Sequence, residues 1–240
     1  MLSIRKYHKW LMILVGVQFL IWSISGAYMV YMNIHYIHGD SLVNNKQSNL
    51  SQTKIHITLA DLSQRFGDIN KLALYQLNDR PVYSFNVHDK AYLVDATNGE
   101  NLLPLSEARA ISIANYQYSG QGTITDVSLI TRNPPFELAP RHLPVWQVNF
   151  DDFGSPTLYI SALSGAVVTK RHEFWRIFDW MFRFHLMDYQ KGEVDNVLLF
   201  WISLLSLFGT LTGAFLAYQK LFNNRKTSKH NNHQHLGDLS

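Results

Sequence analysis

Cysteine is absent from all 240 residues. That excludes disulfides, thiolate metal sites, iron–sulfur clusters and cysteine nucleophiles, so any metal or redox chemistry must run through His, Asp, Glu, Met or Tyr. Charge is scarce as well. Asp, Glu, Lys and Arg make up 16% of the chain against 47% apolar residues, which is low for an ordinary soluble domain. The shortage is concentrated in two runs, 11–32 and 197–218, that carry no charged side chain. No G-x-G-x-x-G run is present for a nicotinamide or flavin cofactor, and no catalytic triad pattern is visible. The net charge of +3 sits largely at the two ends, in Arg5, Lys6 and Lys9 and in Lys220, Arg225, Lys226 and Lys229. It reads as a topological signal and gives no argument for nucleic-acid binding.

What is there in quantity is apolar helix. About 20 apolar residues at ~1.5 Å rise cross a hydrocarbon core of roughly 30 Å, so both uncharged runs read as transmembrane helices. The first exceeds the apolar core of a signal peptide and is followed by aromatic residues instead of an A-x-A-like site, so it reads as an uncleaved signal anchor. The basic flanks place both termini in the cytoplasm and the intervening domain outside. The expected layout is a cytoplasmic N-terminus at 1–9, a first membrane helix at 10–32 and a polar loop at 33–55. Two modules follow at 56–103 and 104–171, then an amphipathic pre-membrane helix at 172–190, a second membrane helix at 197–219 and a cytoplasmic tail at 220–240.

The two modules repeat one plan: a short helix, an alternating strand, and a further strand closing on a Gly turn. ITLADLSQRFG leads to LALYQL, PVYSFNVH and AYLVDATNGENL; LSEARAISIANYQ leads to TDVSLI, PVWQVNFDD and TLYISALSGAVVTKR. PVYSFNV aligns with PVWQVNF, and YLVDATNGE with LYISALSGA.

This strand-and-turn pattern resembles the PepSY domain, and two copies between membrane helices resemble the PepSY-associated transmembrane proteins. The flanks agree: RKYHKWLMILVGVQFLIWSISGAYM is similar to that family's first helix, FDWMFRFHLM to its histidine-bearing pre-membrane segment, and GTLTGAFLAY to the Gly-rich end of its last helix. The fold class so implied is an α+β membrane protein, two transmembrane helices flanking an extracytoplasmic domain of tandem PepSY-like modules in a bacterial inner membrane. The family includes iron-regulated membrane proteins and haem-dependent ferric reductases, and in size and layout this chain resembles small two-helix members of the VciB type, which stimulate ferrous iron uptake. The resemblance implies haem b as cofactor, ferric iron or a siderophore as acceptor, a ferrous iron transporter as partner, and a cytoplasmic or quinone-type electron donor.

Histidine is the one ligand type in generous supply, with 11 in the chain. His8 precedes the first span, and its bland reading is an interfacial residue among basic anchors. His35 and His38 follow the span about one turn apart. From His8 to His35 a continuous helix would cover about 40 Å, so they cannot share one iron. In 173–187, Arg176, Asp179 and Arg183 form a polar stripe, and ~100° per residue sets His185 opposite it with Phe174, Phe178 and Met181. Such a histidine is either a hydrogen-bonded core residue or, beside a membrane, a functional group. The resemblance adds axial haem ligation, with His8 and His185 as haem-iron ligands and His35 as a further cofactor-binding candidate. His56, His88, His142 and His172 read as surface residues, with Asp151, Asp152 or Asp188 as conceivable partners in a transient ferric site. His230, His233 and His235 in the tail read as solvated or weakly metal-binding.

Gly209 and Gly213 form a G-x-x-x-G pair, and Ser23 with Ala27 a small-x-x-x-small pair. Two helices make a poor haem pocket, so a homodimer of four is expected. Three functions compete. One is a haem b ferric reductase or transmembrane electron conduit. Another is a non-enzymatic accessory module that binds a partner at exposed β edges. The weakest is a receptor, since the cytoplasmic segments hold no output domain.

Overall fold

The computed structural model describes residues 2–44, 54–189 and 196–237, with side chains for 4–44, 54–189 and 196–222. Among these the chain is α+β and separates into a helical unit (1–31 and 179–240) and a β-sheet domain (32–178).

The helical unit contains α1 (Leu2–Tyr31) and α6 (Val197–Gly237). Within them, Ile4–Tyr31 and Val197–Phe222 are long and apolar enough to cross a membrane, with mean hydropathies of 1.8 and 1.9. α1 begins at Leu2, ahead of the expected 10–32, because the basic first turns Arg5-Lys6-Tyr7-His8-Lys9 contain neither Gly nor Pro to stop a helix. α6 likewise runs on through the expected tail to Gly237; the side chains of His230, His233 and His235 lie outside the described residues.

One stripe of each helix is covered. On α1 it runs through Leu11, Val15, Gln18, Trp22 and Ser25, on α6 through Ile202, Ser206, Gly209, Thr212 and Leu216. These steps of three and four residues are the pattern of two helices packed side by side. The opposite faces stay apolar and open, as Val17, Phe19, Leu20, Phe208, Leu211 and Phe215 show. In water that surface is a liability, whereas in lipid it is a match.

The domain opens on the short helix α2 (Ile34–Ile37) and holds two modules, each a helix laid on one face of an antiparallel sheet. α3 (Leu59–Phe66) is followed by β1 (Asn70–Leu77), β2 (Arg80–Val87) and β3 (Lys90–Asp95) in the order β1-β2-β3. A capping box between Thr58 and Asp61 starts α3, and Gly67 at φ +79 ends it. Its Leu62 packs on Tyr83, Phe85 and Val94. α4 (Glu107–Gln117), capped by Ser106, lies on β4 (Ile124–Ile130), β5 (Val145–Phe150), β6 (Thr157–Ser161) and β7 (Val167–Arg171), which neighbour one another in chain order. Here Ile113 and Ala114 meet Val148, Phe150, Leu158 and Ile160, the alternate residues of β5 and β6 that a pleated strand turns to one face.

The internal repeat is visible bond by bond. The Ala96 and Ala162 amides donate to the carbonyls of Pro81 and Pro144, at 2.9 and 3.0 Å. The Gly99 and Gly165 amides donate to Asp95 and Ser161, at 2.8 and 2.9 Å. Both glycines have positive φ, +74 and +70, the region that Gly enters without a Cβ penalty. After this turn the second module adds a full strand, β7, while the first makes only the bridge Val94–Asn101. One expected strand, TLYISALSGAVVTKR, is therefore two, because the Gly165 turn reverses the chain into a hairpin.

Candidate functional site

α5 (Glu173–Leu186) begins in the domain and ends in the helical unit. Its polar stripe resolves into pairs. Arg183 Nε donates to Asp179 Oδ2 at 2.6 Å, one turn apart, and Arg176 binds Glu173 at 2.8 Å. His185 points the other way, as its spacing predicts, and reaches α1. Its Nδ1 lies 3.1 Å from Ser25 Oγ, and its ring packs so closely on Gly26 that a Cβ there would stand 3.3 Å from Cε1.

His8 has the same surroundings at the other end of α1. Its Nδ1 lies 2.9 Å from Thr212 Oγ1 of α6, and a Cβ on Gly213 would stand 3.1 Å from its Cε1. Gly209, one turn earlier, receives Met12, whose Sδ would be 3.2 Å from an added Cβ. The G-x-x-x-G pair of α6 thus makes room for His8 and Met12 of α1. Ser23 and Ala27 lie on the exposed side of α1, so the α1–α6 contact uses the neighbouring face.

Each hydroxyl has a backbone carbonyl as well as a histidine within reach. A hydroxyl has one hydrogen to give. Thr212 donates it toward the carbonyls of Phe208 and Gly209, each 3.0 Å away, and Ser25 donates to Ile21 at 2.7 Å. Where the hydroxyl gives its hydrogen to the carbonyl it meets the histidine as an acceptor, which corresponds to the Nδ1–H tautomer with Nε2 open. An imidazole that donates through one nitrogen and keeps the other free is the form that ligates a metal, so the donor chemistry of both residues fits haem iron. From His8 to Ser25 is 17 residues of one helix, about 26 Å of axial rise, so the chain does not bring His8 and His185 together. Between these levels Gln18, 7% exposed, makes no hydrogen bond through Nε2, nor does Trp22 through Nε1, among the described residues.

His35 belongs to the domain. It is exposed, with Nδ1 3.3 Å from Asp40 Oδ2. His56 and His88 are exposed as expected, His88 in the β2–β3 turn. His172 is not a surface residue: it is 2% exposed. Its Nε2–H donates to the Tyr36 carbonyl at 2.8 Å, and its Nδ1 accepts the Trp175 amide at 3.3 Å, so the ring caps the start of α5. Burial, then the charges of Arg176 and Arg171, hold its pKa below the usual histidine value.

Asp151 and Asp152 also have structural partners. Asp152 accepts from the Phe153, Gln121 and Gly122 amides and from the Tyr118 hydroxyl, and Asp151 from Thr123. These bonds hold the Gly120–Gly122 turn, and they depress the Asp152 pKa. No group of three His, Asp or Glu that could hold a metal ion occurs among the described residues.

Ser25, Gly26 and Thr212 fall inside the helix segments that carry the resemblance, and the sequence alone gives none of them a role. The available signal was a hydroxyl-Gly dipeptide in each span, Ser25-Gly26 and Thr212-Gly213. Set against known proteins, the chain matches no family model, no curated protein and no solved structure.

Proposed function

We propose that the protein is a haem b-dependent ferric reductase, or transmembrane electron conduit, that supports ferrous iron uptake from a bacterial inner membrane. The observation that carries this reading is the shared setting of His8 and His185: each ring has Nδ1 within hydrogen-bond distance of a helix hydroxyl and packs on a glycine. Two helices able to cross a membrane support the placement.

When bound, haem supplies one-electron chemistry at its iron, which a reductase of Fe(III) to Fe(II) requires. The chain's own part is to hold the ligand rings. Thr212 and Ser25 fix ring orientation and tautomer and raise the basicity of the free nitrogen. The apolar flanks of α1 and α6 keep water away, and low polarity together with ligand basicity sets the potential. His8 and Ser25, where His185 docks, are ~26 Å apart along α1, so the two histidines would hold separate haems and each would need a further ligand residue from elsewhere. In this reading a second copy supplies it, giving a four-helix bundle with one site toward each face. Electrons come from a quinol or a cytoplasmic reductant.

The test is the visible spectrum of the detergent-purified protein, oxidised and dithionite-reduced, beside His8→Ala and His185→Ala. A Soret and α-band that are lost in either variant support the conduit. No haem in the wild-type protein after haem-supplemented expression overturns it and leaves the accessory-module reading.

A further inference from the structure

Among the described residues of the sheet domain the most exposed large apolar side chain, Phe153 at 80%, stands on a turn fixed by hydrogen bonds. The turn, 151–156, joins β5 to β6. Within it the Ser155 amide donates to the Asp152 carbonyl at 2.9 Å and the Phe153 amide to Asp152 Oδ1 at 2.8 Å. The Gly154 carbonyl accepts the Glu173 amide at 2.8 Å, which fastens the turn to the first residue of α5. The ring is therefore held out toward the surroundings by its own backbone.

Phe153 has apolar company. Its ring lies 5.4 Å from that of Phe174, and Phe174 lies 5.7 Å from Tyr36. Phe136, 58% exposed, stacks on Trp175 at 6.2 Å, and Ile177, about one turn after Phe174, is 42% exposed. Arg171 sets its guanidinium 4.0 Å over the Trp175 ring. Segments distant in the chain thus gather open rings around the first turns of α5. An exposed patch of this kind marks a contact surface.

The path of the chain says what that surface meets. Tyr36 follows the end of α1 by five residues, a stretch of at most about 18 Å. α5, which carries Phe174, Trp175 and Ile177, is the element from which the chain goes on to α6. Both α1 and α6 are long and apolar enough to cross a membrane, and aromatic rings collect at the level where lipid headgroups meet acyl chains. The charges agree. Arg132 and Arg141, exposed on either side of Phe136 in the chain, make no ion pair among the described residues and suit headgroup phosphates. Asp151 and Asp152, beside Phe153, are taken up by Thr123, Tyr118 and backbone amides.

We propose that this face of the domain docks on the lipid headgroup layer, with Phe153 and Phe136 inserted among the upper acyl chains. The insertion holds the domain in one orientation against the membrane. The inference rests on the membrane placement of α1 and α6 and is independent of haem.

Because the chain has no cysteine, Phe153→Cys and Phe136→Cys each create a single site for a nitroxide. The labelled full-length protein in phosphatidylcholine nanodiscs is measured for access to oxygen, which partitions into lipid, and to a water-soluble nickel chelate. Val17→Cys, on the open face of α1, gives the lipid value, and free label in buffer gives the aqueous one. At 153 and 136 the nickel-to-oxygen ratio is expected severalfold below the aqueous value. An aqueous ratio at both, with a lipid ratio at 17, overturns docking and leaves the membrane placement standing. An aqueous ratio at 17 overturns the placement, and docking with it. Low access to both reagents at 153 and 136 shows cover by protein, by a second copy where dipolar broadening accompanies it, and overturns lipid as the occupant. The wild-type protein gives a check free of substitution. A lipid with a diazirine at headgroup level should crosslink within 131–139 and 151–156, whereas crosslinks confined to α1 and α6 overturn the proposal.

Discussion

His185 Nδ1 and Ser25 Oγ stand 3.1 Å apart although 160 residues separate them in the chain. The same relationship joins His8 to Thr212 at 2.9 Å across 204 residues. A covered imidazole without a hydrogen-bond partner is costly, and in both cases one hydroxyl offsets part of that cost at Nδ1.

Removing the hydroxyl should weaken any metal held at that nitrogen. Ser25→Ala and Thr212→Val are expected to lower haem affinity about tenfold or more each, the usual effect of losing a ligand's outer hydrogen bond. Haem titration of the stripped protein, followed at the Soret band, measures this. Unchanged affinity in both variants would separate the hydroxyls from ligation.

Gln18 should cost the empty protein stability. Its amide is buried in α1 with Nε2 unbonded among the described residues, and a buried polar group without a partner costs about 1–3 kcal/mol. Gln18→Leu is expected to raise the unfolding midpoint of the haem-free protein in detergent. A lower midpoint would mean that the amide is satisfied.

The Arg176–Glu137 pair should be strongly destabilising to break. Arg176 donates twice to a Glu137 that is 6% exposed, at 2.7 and 2.9 Å, and Tyr159 adds a third bond at 2.6 Å. Arg176→Met leaves that carboxylate buried and unpaired, an expected loss of about 3 kcal/mol by chemical denaturation. Burial pushes the Glu137 pKa up, but the bonds from Arg176 and Tyr159 outweigh it and leave the pKa below the usual value. The stabilisation is therefore present above the unfolded carboxyl pKa and lost as pH falls through the folded one. Glu137→Gln should flatten the acid limb of the stability curve, and an unaltered limb would exclude Glu137 as its source.

His172 should impose a second slope at milder pH. Its folded pKa lies below the unfolded value near 6.5 because burial and two arginines oppose protonation. Below about pH 6.5 the unfolded chain binds a proton that the folded chain refuses, so stability falls as pH drops through that window. His172→Asn retains a capping acceptor for α5, loses about 1 kcal/mol with the Tyr36 bond, and should remove the slope. Denaturation midpoints at about pH 7.5 and 5.5 give the comparison.

The sequence by itself determined everything that rests on local pattern. Two uncharged runs dictate α1 and α6 because no other backbone state satisfies its own hydrogen bonds in an apolar setting. The alternation in PVYSFNV and PVWQVNF dictates β2 and β5, and the matched glycines 99 and 165 dictate the turns that follow. The side of α5 on which His185 sits was legible from its spacing alone, since Arg176, Asp179 and Arg183 mark the opposite side. Only the tertiary structure decided what that histidine meets. Nothing in residues 173–187 names Ser25 as a partner, nothing near His8 names Thr212, and the burial of His172 depends on the Tyr36 carbonyl more than a hundred residues away. Periodicity assigns a side chain to a face, because the backbone repeat fixes direction within an element. It carries no information about which distant hydroxyl or carbonyl packing brings to that face.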